Sequence, residues 1–134
     1  MTKILRLKDR LKLKIDDVTF KLAPLSHLQK QELAGCTKMQ NGEEIFDLTR
    51  AQALYIKYSL KDIDGVEDYS GEKYELEFDG DVLTDDCVSE VFNLEQREKL
   101  NIAAWQLVQG VQELKDPVTG KPLEGVDLEV ESGK

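Results

Sequence analysis

The residue types that most often perform chemistry are sparse in this sequence. It contains one histidine, His27, and two cysteines, Cys36 and Cys87. A catalytic dyad needs a base within hydrogen-bond reach of its nucleophile. His27 and Cys36 are nine residues apart, which on a single helix would separate them by about 13 Å. We therefore expect a surface histidine near a helix start, and two reduced cysteines that act as small core side chains in the cytoplasm.

Acidic residues are clustered twice in the middle of the chain, which raises the question of a calcium site. The clusters are Asp79, Asp81, Asp85 and Asp86, and the run Asp62-Ile63-Asp64-Gly65. An EF-hand loop requires ligands at alternating positions, a central glycine and a distal glutamate. Neither cluster has this pattern, so we interpret both as solvated carboxylates and expect no metal.

The common sequence motifs of enzymes are also missing. The chain has no Gly-rich phosphate loop, no Gly-x-Ser-x-Gly and no His-Glu-x-x-His. Paired carboxylates of the glycosidase kind stay compatible with the sequence, but acidic residues are so abundant that their presence has almost no weight. We expect no catalytic residues, no cofactor and no enzymatic activity.

Composition restricts the classes of partner. The chain has 134 residues, of which 40% are hydrophobic and 34% charged, with a net charge of −9. This size and balance predict one soluble domain. The negative charge repels nucleic acid and anionic membranes, and no apolar run is long enough to span a bilayer. A basic or apolar protein partner is compatible with this charge.

A β-hairpin is the clearest local prediction. Residues 11–15 and 18–22 alternate between apolar and polar side chains on either side of Asp16-Asp17. A two-residue turn there places six apolar side chains on one sheet face. The same register sets Lys12 opposite Lys21, which is mildly unfavourable.

Helices and a short strand follow the hairpin. Ser26 and Gln29 have the spacing of a capping box, which predicts a helix to about residue 38, and residues 37–46 then form a loop. A second helix is predicted over residues 48–60 with Tyr55 and Tyr58 on its apolar side. We interpret residues 62–71 as a loop and residues 73–78 as a strand. Thr84 then caps a short helix.

The longest helix is predicted from residue 94 to about residue 114, with a capping box at Asn93 and Gln96. Its apolar stripe comprises Leu100, Ala103, Ala104, Leu107, Val108, Val111 and Leu114. Residues 115–134 are rich in glycine and polar side chains, and we predict a flexible tail in which residues 126–130 form at most a transient strand. The predicted fold is therefore α+β: an N-terminal β-hairpin followed by a mainly helical domain with one short additional strand, ending at residue 114.

Two apolar residues of the last helix lie away from its main stripe. Ile102 and Trp105 are separated from it by about 140–200°. Either this helix is central in the fold, or these two side chains face a partner. Tryptophan is favoured at the anchors of interfaces. The candidate partner-binding residues are thus Ile102 and Trp105, together with Tyr55 and Tyr58 on the outer side of the second helix.

The order of these elements resembles the tail assembly chaperones of long-tailed phages. The resemblance covers roughly residues 11–114. It is carried by the hairpin that leads into Pro24-Leu25-Ser26, by the mid-chain helix and by the segment Asp64-Gly65-Val66-Glu67-Asp68-Tyr69-Ser70-Gly71. A strand, a capped short helix and a final helix complete it.

The resemblance implies a function without catalysis. Such chaperones coat the tape-measure protein in the host cytoplasm before the tail tube polymerises, and tail-tube subunits then displace them. It implies a protein that is absent from the mature virion, and a homo-oligomer is compatible with it. Two other readings stay open: a structural virion protein such as a tail or connector subunit, or a small acidic regulator or inhibitor of a host protein.

Overall fold

The computed structural model describes residues 3–111 and 113–133. They form a mixed α+β fold, which confirms the predicted fold class. The elements in chain order are β1 (Arg10–Ile15), β2 (Val18–Leu22), α1 (His27–Ala34), β3 (Thr37–Gln40), β4 (Glu43–Phe46), α2 (Leu48–Ser59), β5 (Leu60–Asp64), β6 (Phe78–Asp79), β7 (Val82–Leu83), α3 (Asp85–Val91), α4 (Arg97–Val108) and β8 (Val126–Glu131).

The predicted hairpin of β1 and β2 is confirmed, including its register. Leu13 lies opposite Phe20, and Ile15 lies opposite Val18. All apolar side chains of this register are buried, because alternate residues of a strand point to one face. This face and the helices enclose a single hydrophobic core, to which α1, α2, α3 and α4 all contribute.

The hairpin is the centre of a four-stranded sheet with the order β5-β2-β1-β8. The sequence predicts neither flanking strand as a stable strand: residues 62–71 are expected to form a loop, and residues 126–130 at most a transient strand. β5 follows α2 directly and pairs with β2 through a register shift at Lys21 and Leu22. Because of this shift, the buried residues of β5, Leu60 and Ile63, are three positions apart and do not alternate as in a regular strand. β8 pairs with β1 over its whole length. Residues 126–131 therefore belong to the sheet, which corrects their prediction as part of a flexible tail.

The flanking strands also resolve the unfavourable pairing of two lysines. Lys12 and Lys21 are opposite each other as predicted, but Lys12 also faces Glu129 of β8, and Lys21 faces Asp62 of β5. In addition, the Lys21 ammonium lies 3.5 Å from the Glu131 carboxylate. Directly opposed side chains of a sheet share one face, so a basic centre is neutralised by two acidic edges.

The capping box of α1 is confirmed in both directions. The Gln29 N–H donates to Ser26 Oγ over 3.2 Å, and the Ser26 N–H donates to Gln29 Oε1 over 3.0 Å. The helix ends at Ala34, earlier than predicted. The segment after it is a hairpin of β3 and β4, not the predicted loop. Asn41 and Gly42 have φ angles of 54° and 80°, which is the type I′ turn that an Asn-Gly pair favours.

The predicted strand over residues 73–78 is largely absent from the structure. Lys73 makes one isolated bridge to Glu67, and only Phe78 and Asp79 pair, with β7. Tyr74 and Leu76 are half-buried against the core without a ladder partner. The alternation of apolar and polar residues over residues 73–78 therefore reflects the partial burial of an extended segment that is not part of a sheet.

The Thr84 cap of α3 is confirmed, because Thr84 Oγ1 accepts the Cys87 N–H over 3.2 Å. α4 is shorter than predicted at both ends. Backbone turns occupy the start of the predicted helix, so the capping box at Asn93 is wrong: Gln96 is the N-cap residue and makes no side-chain cap. At the other end, Gly110 adopts a φ of 81°.

The C-terminus of α4 is a Schellman motif. The N–H of Gly110 bonds to Leu107 O, and the N–H of Val111 bonds to Gln106 O. Gly110 accepts the left-handed conformation at little cost, which is why the stripe does not continue as a helix to Leu114. None of the helices within residues 3–111 and 113–133 combines the length and the apolar character needed to cross a bilayer.

Candidate binding groove

An apolar groove of about 700 Å³ lies where the N-terminal segment, α1, α2, β4 and the end of α4 meet. Its floor belongs to the hydrophobic core, and its rim is formed by side chains that are exposed to solvent. The residues that line it are Ile4, Leu5, Leu7, Leu11, Pro24, Leu25, Lys30, Leu33, Ala34, Phe46, Ala51, Tyr55, Trp105, Leu107, Val108, Gly110 and Val111.

The helices position the floor of the groove. Leu33 of α1 and Ala51 of α2 are 2% and 1% exposed, and Tyr55 is 4% exposed. Leu107 and Val108 are half-buried against the same core. The floor is therefore fixed by core packing and exists without a ligand.

The β3–β4 hairpin completes one wall. It ends at Phe46, whose ring centroid lies 5.5 Å from that of Trp105 at an interplanar angle of 44°. This distance and tilt are typical of favourable aromatic pairs. The Asp47 N–H donates to Cys36 O over 2.9 Å, which ties the end of the hairpin to its beginning and holds Phe46 beside α4.

The rim is apolar and accessible. Ile4 and Leu7 are 81% and 69% exposed, and Phe46 and Val111 are 40% and 38% exposed. A rim of this kind beside a buried floor is typical of a surface that binds another apolar surface.

Few polar groups converge on the groove. Among the lining residues in the described part of the chain, Lys30 is the only one with a charged side chain. Burial raises the pKa of the Tyr55 hydroxyl above its ordinary value, at which a tyrosine is already neutral at physiological pH. A pocket that fixes a polar small molecule normally presents several placed polar groups, and this groove presents mainly hydrocarbon.

The four predicted partner-binding residues are separated by the structure. Trp105 and Tyr55 line the groove, whereas Ile102 and Tyr58 are not among its lining residues. Tyr58 is half-buried, and its hydroxyl donates to Glu32 over 2.6 Å. This bond to a carboxylate, followed by burial, raises the pKa of Tyr58 to about 12. Ile102 is half-buried on α4.

The sequence interpretation missed the residues that form the rim. The predicted loop over residues 37–46 includes Phe46, although the Asn41-Gly42 pair indicates the hairpin that positions it. Ile4 and Leu7 are absent from the predicted partner-binding residues, because local spacing does not show which distant elements a short segment contacts. Only the tertiary structure brings residues 4–7 to α1 and α4.

The histidine and the two cysteines each have a hydrogen-bond partner other than one another. The exposed His27 ring lies 3.1 Å from the Gln31 side-chain amide. The Cys36 thiol donates to Glu32 O over 3.5 Å, and burial raises its pKa. The Cys87 sulfur lies 3.3 Å from the Tyr74 hydroxyl. Within residues 3–111 and 113–133, no three His, Cys, Asp or Glu side chains are grouped so that they could hold a metal ion.

Comparisons with known proteins leave the groove as the main source of functional information. No family model matches the chain, and no curated protein or solved structure is significantly similar to it.

Proposed function

We propose that this protein is a tail assembly chaperone of a long-tailed phage, which binds the tape-measure protein in the host cytoplasm before the tail tube polymerises. The observation that carries the proposal is the apolar groove with its exposed rim. The resemblance in the order of elements supports the choice of the phage family. We expect the chaperone to be displaced by tail-tube subunits and to be absent from the mature virion.

The lining of the groove favours a polypeptide as its ligand. Apolar side chains of an amphipathic helix bind into hydrophobic grooves, with anchors that recur at three- and four-residue spacings. Trp105 beside Phe46 offers an aromatic anchor of the type that dominates the binding energy of interfaces. The exposed Ile4 and Leu7 lose contact with water when such a helix binds, and this burial contributes about 25 cal/mol per Å² of apolar surface.

The test is co-expression with the tape-measure protein followed by co-purification of the two chains. We expect Ile4→Ser together with Leu7→Ser to remove most of the co-purified partner. Both residues are largely exposed, so folding is preserved and the loss reports on binding. The matched control is Leu28→Ser, which changes a residue of α1 that is 76% exposed and does not line the groove.

A second pair of variants tests which side of α4 binds. Trp105→Ala removes a lining residue, and Ile102→Ala removes an apolar residue of the same helix that does not line the groove. We expect weaker co-purification for the first variant alone. The groove is rejected as the binding site if Trp105→Ala, Ile102→Ala and the Ile4→Ser, Leu7→Ser double variant all co-purify as much tape-measure protein as the wild-type chain does. Circular dichroism must show that each variant is folded.

Purified virions distinguish the chaperone from a structural tail or connector subunit. A chaperone is absent from the particles in mass spectrometry, whereas a tail subunit is present at a fixed copy number. A regulator of a host protein would be absent from particles too. Deletion of the gene for such a regulator would leave the tape-measure protein soluble. Deletion of the gene for a chaperone would lead to aggregation of the tape-measure protein.

A further inference from the structure

The charge beside the groove is opposite to the charge of the whole chain. Residues 3–8 contain three basic side chains, Lys3, Arg6 and Lys8, and no acidic one, in a chain with a net charge of −9. These residues alternate with the lining residues Ile4, Leu5 and Leu7. Lys30 lines the groove from α1. Three cationic residues therefore adjoin lining residues in the sequence, and a fourth lines the groove itself.

These cations form no ion pair in the part of the chain that the structure describes, although Arg6 and Lys8 lie near enough to the Asp9 carboxylate to act on its charge. None of the ion pairs within 4.0 Å in residues 3–111 and 113–133 includes Lys3, Arg6, Lys8 or Lys30. By contrast, lysines in other regions are paired, as between Lys57 and Asp85 at 2.9 Å.

The carboxylates near the groove have other bonds. Glu32 accepts the Tyr58 hydroxyl over 2.6 Å, and Asp47 accepts the Arg50 N–H as the cap of α2 over 3.1 Å. Asp9 is 8% exposed and accepts the backbone N–H groups of Arg6 and Gly133. These hydrogen bonds leave the three carboxylates charged, but the segment of residues 3–8, which contributes to the lining, and Lys30 on α1 offer a ligand positive charge alone.

We infer that the groove selects an amphipathic helix that carries Asp or Glu along the edges of its apolar face. This inference rests on the proposed function and specifies the chemistry of the segment that is bound. The apolar face supplies affinity, while the carboxylates set orientation and reject helices with basic edges, because like charges at an interface are strongly unfavourable.

The test uses three synthetic helical peptides with one identical leucine stripe and with Glu, Gln or Lys at the flanking positions. Binding is followed by the fluorescence of Trp105, the only tryptophan of the chain, which lines the groove. Exposed ion pairs each change affinity by a factor of about two to five. We therefore expect the Glu peptide to bind about tenfold more tightly than the Gln peptide, and the Lys peptide to bind most weakly.

Salt and charge reversal supply the controls. In 1 M NaCl the screening length falls to about 3 Å, and the three affinities should converge. Lys30→Glu together with Arg6→Glu should reverse the order of the Glu and Lys peptides. Lys121→Glu, an exposed change of equal sign away from the groove, should leave the order unchanged.

The outcomes separate this inference from the proposed function. Equal binding of all three peptides at low salt overturns the charge preference and leaves polypeptide binding intact. A preference for the Lys peptide also overturns it. No binding of any peptide up to millimolar concentration, with no co-purified tape-measure protein, contradicts both proposals.

Discussion

Leu128 gives the sharpest test of the sheet, because it lies in the segment that the sequence predicts to be flexible. It is opposite Leu13 of β1 in the register of the two strands, and it is half-buried against the hydrophobic core. Truncation of a fully buried leucine to alanine costs about 2–5 kcal/mol. For a half-buried leucine we expect Leu128→Ala to reduce the free energy of unfolding by about 1–2 kcal/mol.

The measurement is urea unfolding followed by Trp105 fluorescence and circular dichroism. A loss of this size lowers the denaturation midpoint at an unchanged m-value, and it lowers Tm by about 5 °C for a chain of this length. The control is Val118→Ala in the same C-terminal region. Val118 is 90% exposed, so its substitution should change the free energy of unfolding by less than about 0.5 kcal/mol.

A truncated chain that ends at residue 114 extends the test. It removes the strand that covers the edge of β1 and the carboxylates that face Lys12 and Lys14. We expect a larger loss of stability than for Leu128→Ala. Wild-type stability in both Leu128→Ala and the truncated chain would refute the assignment of β8 to the sheet and restore the interpretation of a flexible tail.

Three further predictions concern single residues. Gly65 has a φ of 90° and a Cβ there would collide with the backbone oxygen of Asp17, so Gly65→Ala should lower the free energy of unfolding by at least about 2 kcal/mol; wild-type stability in urea would contradict this. Thr84→Ala removes the cap of α3 and should cost about 1 kcal/mol, whereas Thr84→Ser, which keeps the hydroxyl, should cost much less in the same assay. The pKa of Asp9 is lowered below its ordinary value of 3.8 by the backbone N–H groups of Arg6 and then Gly133. The ionised Asp9 therefore adds to the free energy of unfolding above pH 3.8, and this contribution is lost as the pH falls through the lower pKa of the folded state. Asp9→Asn should therefore be destabilised in urea at pH 7 and should approach wild type near pH 2; an equal difference at both pH values would count against this bond.

Local sequence patterns predicted those elements whose physical cause is local. The β1–β2 register follows from alternation on both sides of a two-residue turn, and the cap of α1 follows from two side chains three residues apart. The hairpin at Asn41-Gly42 and the end of α4 at Gly110 also have local causes, so the sequence contained both signals. The Asn-Gly pair favours a hairpin turn over a loop, and a glycine at the end of an apolar stripe favours the end of the helix.

The groove was predictable only in part. Trp105 was identified because it lies off the main stripe of its helix, which is a local property. Tyr55 was identified from the apolar side of α2, whereas Tyr58 on the same side is bonded to Glu32 and lies outside the groove. Helical spacing specifies which residues share a side, but it does not specify which element covers that side.

The sequence by itself determined the α+β class, the central hairpin and two helix caps, because period and capping depend on residues within one or two turns of each other. The tertiary structure decided the rest. It placed β8 beside β1, with more than 100 residues between the paired strands, and it supplied the carboxylates that neutralise Lys12 and Lys21. It also brought Ile4, Phe46 and Trp105 to one groove, since contacts between distant segments depend on the packing of the whole core and leave no local pattern.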